Sequence, residues 1–131
     1  MSNSTEFEIQ TPAEGMIDIT AQVQDAISAS GVDTGLCCVF VPHTTAGVTI
    51  NENADPDVQR DLMLALARIS PDLKEFRHAE GNSAAHVRAA LLGSSVTLMV
   101  KDGRARLGTW QGIYFGEFDG PRRRKFWVAI M

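Results

Sequence analysis

Apolar and polar residues alternate near the start of the chain, where Phe7 and Ile9 stand between Glu6, Glu8 and Gln10. A period of two predicts a strand with one buried face. A turn follows from Pro12 to Gly15, and from Thr20 the period lengthens. Val23 and Ile27 share a helical face, Thr20 is placed to cap the first turn, and Gly31 can take the left-handed conformation that stops a helix. The apolar run from Leu36 to Val41 reads as a buried strand, and Val48-Thr49-Ile50 as a second short one.

Asp55-Pro56 opens the next helix, because the carboxylate accepts from free amides and proline loses nothing at the first helical position. Its apolar stripe is Val58, Leu62, Ala65 or Leu66, and Ile69, and Pro71 closes it. After a polar loop, Ser83 to Leu92 reads as a short helix with Val87 and Leu91 as the packed stripe and Gly93 as the stop. From Ser95 the period returns to two. Val96, Leu98 and Val100 alternate, Asp102-Gly103 signals a hairpin, Gly108 to Gly112 reads as strand with Trp110 as a core anchor, and Asp119-Gly120-Pro121 marks another turn.

This order predicts an α+β domain: a mostly antiparallel sheet covered by two or three helices and ending in a β-meander, not a repeated βαβ unit. With 131 residues, 44% of them apolar, the chain has the size and composition of one domain. The net charge of −4 argues against a general nucleic-acid binder, which gains affinity from a broad cationic surface. No basic region followed by an apolar stretch stands at Met1 to Glu6, and no segment is long enough to span a bilayer, so a cytoplasmic location without a membrane partner is expected. Cys37 and Cys38 are adjacent inside a strand and would face opposite sides, which predicts packed thiols instead of a disulfide or metal clip.

Candidate chemistry centres on three histidines, His43, His78 and His86, each at the edge of a regular element. Imidazoles can hold a divalent metal, carry protons or hydrogen-bond within a core, and the spacing leaves all three open. Glu52 or Glu80 could complete a metal site or activate water, and the Glu52/Asp55 pair could coordinate magnesium, although Asp55 is the natural helix cap. Gln111 could offer its amide to a cleft. Arg122 and Arg124 share parity with Phe126, Val128 and Ile130, which places guanidinium groups on a core face where they need an anion. That anion is either a phosphate or a carboxylate across the turn, Glu117 or Asp119. No Ser/His/acid order and no phosphate loop is present.

Several ordered motifs then combine. His43-Thr44-Thr45-Ala46, Asn51-Glu52-Asn53, His78 through Glu80-Gly81-Asn82 to His86, Leu91-Leu92-Gly93, Gly108-Thr109-Trp110-Gln111 and Asp119-Gly120-Pro121-Arg122-Arg123-Arg124 together resemble the YjbQ/UPF0047 family over nearly the whole chain. Gly112 and Ser94 depart from the family pattern. The resemblance implies a compact α+β subunit, a homotrimer with polar pockets at or near subunit boundaries, and metal binding in some members. It also implies a secondary thiamine-phosphate synthase activity, joining an aminopyrimidine pyrophosphate to a thiazole phosphate. Carried over by residue, it gives His43, His78 and His86 as ligands of zinc or magnesium and Asn82, Arg122 and Arg124 as contacts of a phosphorylated metabolite. Glu52, Glu80 and Gln111 become the catalytic candidates, with Trp110 beside them. A metal-assisted hydrolase of a phosphorylated metabolite and a non-catalytic metabolite-binding trimer are the alternatives.

Overall fold

The computed structural model describes residues 4–131. Among these described residues, eight strands and three helices follow one another as β1 (Ser4–Gln10), β2 (Gly15–Asp18), α1 (Thr20–Ser30), β3 (Gly35–Phe40), β4 (Ala46–Glu52), α2 (Pro56–Ile69), α3 (Ser83–Leu92), β5 (Ser95–Lys101), β6 (Arg104–Arg106), β7 (Gln111–Glu117) and β8 (Arg123–Ile130). Every strand pairing is antiparallel. The strands form two sheets, one ordered β1-β8-β3-β5-β6 and the other β2-β7-β4. The C-terminal third is the expected run of strands, shared between the sheets: β7 crosses to the smaller one and β8 returns to the larger.

Period-two alternation puts Cys37 and Val39, Leu98 and Val100, and Phe126, Val128 and Ile130 on the inner face of the larger sheet. Ile113 and Phe115 of β7 and Ala46 and Val48 of β4 meet them from the smaller sheet, and α1 adds Val23, Ala26 and Ile27. Burying these side chains from both sheets in one cluster is the main drive to this arrangement. Gly31 has φ 71°, as its role of helix stop requires, and Asp102 and Gly103 both have positive φ, as a tight hairpin turn demands. Asp55 caps α2 by accepting from the Asp57 N–H at 2.9 Å.

Four local expectations are corrected. The cap of α1 is not Thr20: the Asp18 carboxylate accepts from the Thr20 N–H at 2.9 Å, while the Thr20 hydroxyl accepts from the Ile113 N–H. Ile69 is 68% exposed, because α2 turns Met63 and Leu66 toward α3 instead. Val87 and Leu91 face outward, and the packed side of α3 is Ala84, Ala85 and Ala89. Trp110 lies 63% exposed in a turn, since the strand begins only at Gln111.

The alanine face of α3 has a geometric cause. A Cβ on Gly47 would stand 2.5 Å from the Gly93 carbonyl oxygen, and one on Gly116 would stand 2.5 Å from Leu92 Cδ2. The helix end thus rests directly on β4 and β7, where the Val48 N–H donates to the Gly93 carbonyl at 3.0 Å, and small residues allow that approach. Gly47→Ala should cost about 1–3 kcal/mol in urea denaturation, the usual penalty of overpacking. Gly116→Ala should cost less, because a leucine methyl can turn aside and a backbone carbonyl cannot. The reverse order would show that α3 is not held at β4 by backbone approach.

Candidate functional site

Four chain segments converge beside the end of α3. The turn from Pro42 to Thr45 joins β3 to β4, the loop of residues 78–82 leads into α3, His86 stands on that helix, and Arg122 and Arg124 flank the start of β8. Together they line a cavity of about 400 Å³ that takes in His43, Thr44, His78, Glu80, Asn82 and His86 as well as both arginines. The structure therefore brings together all three expected histidines, both arginines, Asn82 and Glu80.

Glu52 and Gln111 are not there. They are register partners at the far end of β4 and β7, and β4 runs seven residues from Ala46 to Glu52, which at the usual strand rise is about 20 Å. Gln111 Oε1 accepts from the Gly108 N–H at 2.8 Å, and the Glu52 carbonyl accepts from the Gln59 amide. Within one chain these two residues stabilise a turn and a helix start, and they cannot act on a ligand held by the histidines.

The floor of the cavity is a buried ion pair. Glu117 is fully buried and Arg124 nearly so. Arg124 Nε donates to Glu117 Oε1 at 2.7 Å and Nη2 to Oε2 at 2.6 Å, a two-pronged contact. The Thr11 hydroxyl donates to Oε1 at 2.6 Å and the Asp119 N–H to Oε2 at 2.9 Å. All four acceptor positions of the carboxylate are thus filled. Nη2 of Arg124 also donates to the Thr45 hydroxyl at 2.8 Å, while Nη1 donates to no described residue. Burial alone would raise the Glu117 pKa, but the hydrogen bonds from Arg124, Thr11 and Asp119 outweigh it and hold the carboxyl below its ordinary value.

A second pair sits at the rim. Arg122 donates to the Asp119 carbonyl at 2.7 Å and to its carboxylate at 3.1 Å, and Asn82 Nδ2 donates to the same carboxylate oxygen at 2.8 Å. Hydrogen bonding from Asn82 and from Arg122 lowers the Asp119 pKa. Asn82 therefore orients the Asp119–Arg122 pair, and its buried Oδ1 accepts from no described residue.

His43 accepts at Nε2 from the Lys125 N–H at 2.9 Å, which requires a neutral ring with its proton on Nδ1. Burial and the nearby Arg124 charge hold its pKa below the ordinary value. His78 and His86 meet edge to face with ring centres 5.5 Å apart, and His78 lies 3.8 Å from Glu80. No group of three His, Cys, Asp or Glu side chains among the described residues is placed to hold a metal ion. With His43 Nε2 committed to β8, the expected zinc or magnesium site of His43, His78 and His86 does not fit the donor geometry of a single chain.

The cysteines do not enter the site. Cys37 is buried, both thiols are free, and desolvation with the adjacent Cys38 pushes the Cys37 pKa up to about 11. Such a thiol is a packing group and not a nucleophile.

Comparison with known proteins assigns this architecture. The model of the YjbQ-like UPF0047 proteins matches residues 5–131. The chain belongs to the YjbQ/UPF0047 family. A UPF0047 protein of Methanocaldococcus jannaschii is 52% identical over 95% of the chain and 91% of its own length. YugU of Bacillus subtilis is 48% identical over 92% of both. The crystal structure of a YjbQ/UPF0047-family protein from Clostridium acetobutylicum superposes with a TM-score of 0.94 at 52% identity, covering 97% of this chain and 99% of that one. The α+β fold and the family resemblance read from the sequence both stand.

Sequence reasoning missed Thr45 and Thr11 as members of the polar floor. Core parity of Glu117 with Ile113 and Phe115 was the available signal for the carboxylate itself. Glu117→Gln should destabilise the protein by about 3–5 kcal/mol, because it leaves Arg124 charged and buried without its partner. The double variant Glu117→Leu/Arg124→Met should recover much of that loss in urea denaturation; a double variant no better than the single one would mean that pairing is not what the site needs.

Acid should weaken the fold in a defined order. His43, Glu117 and Asp119 all have lowered pKa values when folded, so the unfolded chain binds more protons and stability rises with pH. The share of His43 is present above about pH 6.5 and is lost as the pH falls toward its lower folded pKa; the carboxylate shares go below about pH 4. Denaturation midpoints across pH 8 to 3 should show both declines, and His43→Gln should abolish the first alone.

Proposed function

We propose that the His/Arg cavity binds a phosphorylated metabolite and serves a thiamine-phosphate synthase-like transfer, joining an aminopyrimidine pyrophosphate to a thiazole phosphate. The carrying observation is the convergence of Arg122, Arg124, His43, His78 and His86 on one cavity of metabolite size. Glu117 and Asp119 already balance the two guanidinium charges, so the site offers directed N–H donors instead of a bare cationic patch. Arg124 Nη1 and the Nδ1–H of His43 are among the lining donors that have no hydrogen-bond partner in the described residues.

In that reaction the thiazole nitrogen attacks the methylene carbon of the aminopyrimidine, the carbon–oxygen bond breaks, and pyrophosphate departs with the electron pair. The attacking atom belongs to the substrate, which agrees with the absence of an activated thiol or serine triad among the described residues. Arginine and imidazole N–H groups would stabilise the charge that develops on the leaving pyrophosphate. His86 and His78 would handle protons at the cavity wall. No step requires a metal held by one chain.

The same proposal takes the protein as a cytoplasmic homotrimer. No helix among the described residues is long and apolar enough to cross a membrane. The outer face of the larger sheet leaves Leu36, Phe40, Met99 and Trp127 between 40% and 53% exposed. Leu36 pairs with Met99 and Phe40 with Trp127 across adjacent strands, the latter two stacked at 5.7 Å. A contiguous apolar face of this kind supports contact with further copies of the chain. Light scattering should find a trimer, and Phe40→Glu/Trp127→Glu should shift it toward monomer; an unchanged mass would remove this face from the assembly.

Incubation with the two thiamine precursors, followed by mass spectrometry, should detect thiamine phosphate. His43→Ala/His86→Ala should lower its rate by at least about a hundredfold, within the usual contribution of positioned proton carriers. Unchanged turnover in that variant would overturn the assignment. Phosphate release from single phosphorylated metabolites would instead favour hydrolysis with Glu80 activating water, and tight metabolite binding without turnover would favour a binding protein.

A further inference from the structure

The cavity is bordered by a second one at its histidines. A second hollow of about 290 Å³ opens beside it, lined by Ala46, Ala89, Ala90 and Ser94, with His43, Thr44 and His86 common to both. The two hollows differ sharply in chemistry. The first is walled by guanidinium, carboxylate and amide groups, whereas the second offers methyl groups, one threonine and one serine hydroxyl, and the sides of two imidazoles.

We infer that the two hollows form one bipartite site, which takes a phosphorylated ligand whose other end is a compact uncharged ring, seated between the imidazoles and the alanine wall. This rests on reading the first hollow as the phosphate site. The geometry gives the reasons. His43 and His86 line both hollows, so a ligand whose phosphoryl group is held on the arginine side meets them before it reaches the second hollow. Beyond them no lysine, arginine, aspartate or glutamate lines the wall, so a second charge there would lose its water without gaining a partner. An uncharged ring loses nothing of that kind and gains by leaving water.

The alanines set the size of that ring. Ala89 is buried and is explained by packing, since it belongs to the small core with Ala85 and Phe118. Ala90 is exposed, belongs to neither core cluster, and its methyl group lines the hollow. A longer side chain at position 90 would fill space meant for ligand without disturbing the fold. Ala90 is thus a specificity-determining position, on the helix that also carries His86.

The test uses the intact protein, with inorganic phosphate and phenyl phosphate as calorimetric probes. The native chain should bind phenyl phosphate at least about tenfold more tightly than inorganic phosphate, since burying even part of a phenyl ring exceeds the free energy of one decade. Ala90→Leu should remove that advantage and leave inorganic phosphate affinity unchanged. Ser94→Leu fills the hollow from a second lining position outside the helix and should do the same, which guards against a folding defect in either variant. Arg122→Gln should weaken both probes together. Phosphate binding with no advantage for phenyl phosphate, or an advantage that survives both leucines, would overturn the bipartite site and leave the anion reading intact. Failure of both probes to bind would overturn the two together.

Discussion

The buried pair of Arg124 and Glu117 is the constraint on which the rest of this molecule is arranged. Glu117 ends β7 and Arg124 lies next to the start of β8, in different sheets, so their contact ties the larger sheet to the smaller one at the point where the chain crosses between them. Two desolvated charges repay their cost only when geometry is good and the remaining hydrogen-bonding positions are filled. Here the carboxylate is saturated by Arg124, Thr11 and the Asp119 N–H. The guanidinium is not saturated. Its spare Nη1 edge belongs to a residue that lines the cavity, so the tie between the sheets is also part of the cavity wall.

A second constraint follows from the first. The cavity needs a wall opposite the arginines, and α3 supplies it by lying against β4 closely enough that Gly47 and Gly116 have no room for a side chain. That closeness explains why the helix buries alanines and turns Val87 and Leu91 outward. Periodicity alone favours the large residues as the packed stripe, because area buried usually decides which face turns inward. Where two backbones must touch, the face that permits approach wins over the face with more hydrophobic area.

Most of the architecture was legible for this reason: strands with strict alternation, such as Val96, Leu98 and Val100 or Phe126, Val128 and Ile130, declare their inner face without ambiguity. The parity of Arg124 was equally legible, and it led correctly to a buried cation in need of an anion; Arg122, expected on the same core face, is exposed instead, because β8 begins only at Arg123 and strand parity does not extend to it. The carboxylate that answers Arg124, Glu117, shares the parity of Ile113 and Phe115. Glu52 and Gln111 show the limit of such reasoning. Both stand in polar motifs of the family pattern, but strand length separates them from the histidines. Sequence proximity to the His43 motif says nothing about which end of β4 a residue occupies. Trp110 fails for a related reason, since only the step from turn to strand decides whether an aromatic is anchored or exposed.

The state of His43 narrows the chemistry that the cavity can carry. An imidazole whose Nε2 receives the Lys125 N–H, and whose protonation is opposed by burial and by Arg124, remains a neutral Nδ1–H donor near neutral pH. It is then neither a ready metal ligand through Nε2 nor a cation. Two arginines balanced by carboxylates and a histidine held neutral make a site of oriented dipoles with little net charge. Such a site discriminates by where a developing negative charge appears, because preorganised donors need no rearrangement to meet it. That suits a reaction in which a leaving group gathers charge at a fixed place better than one requiring a strong protein base or nucleophile.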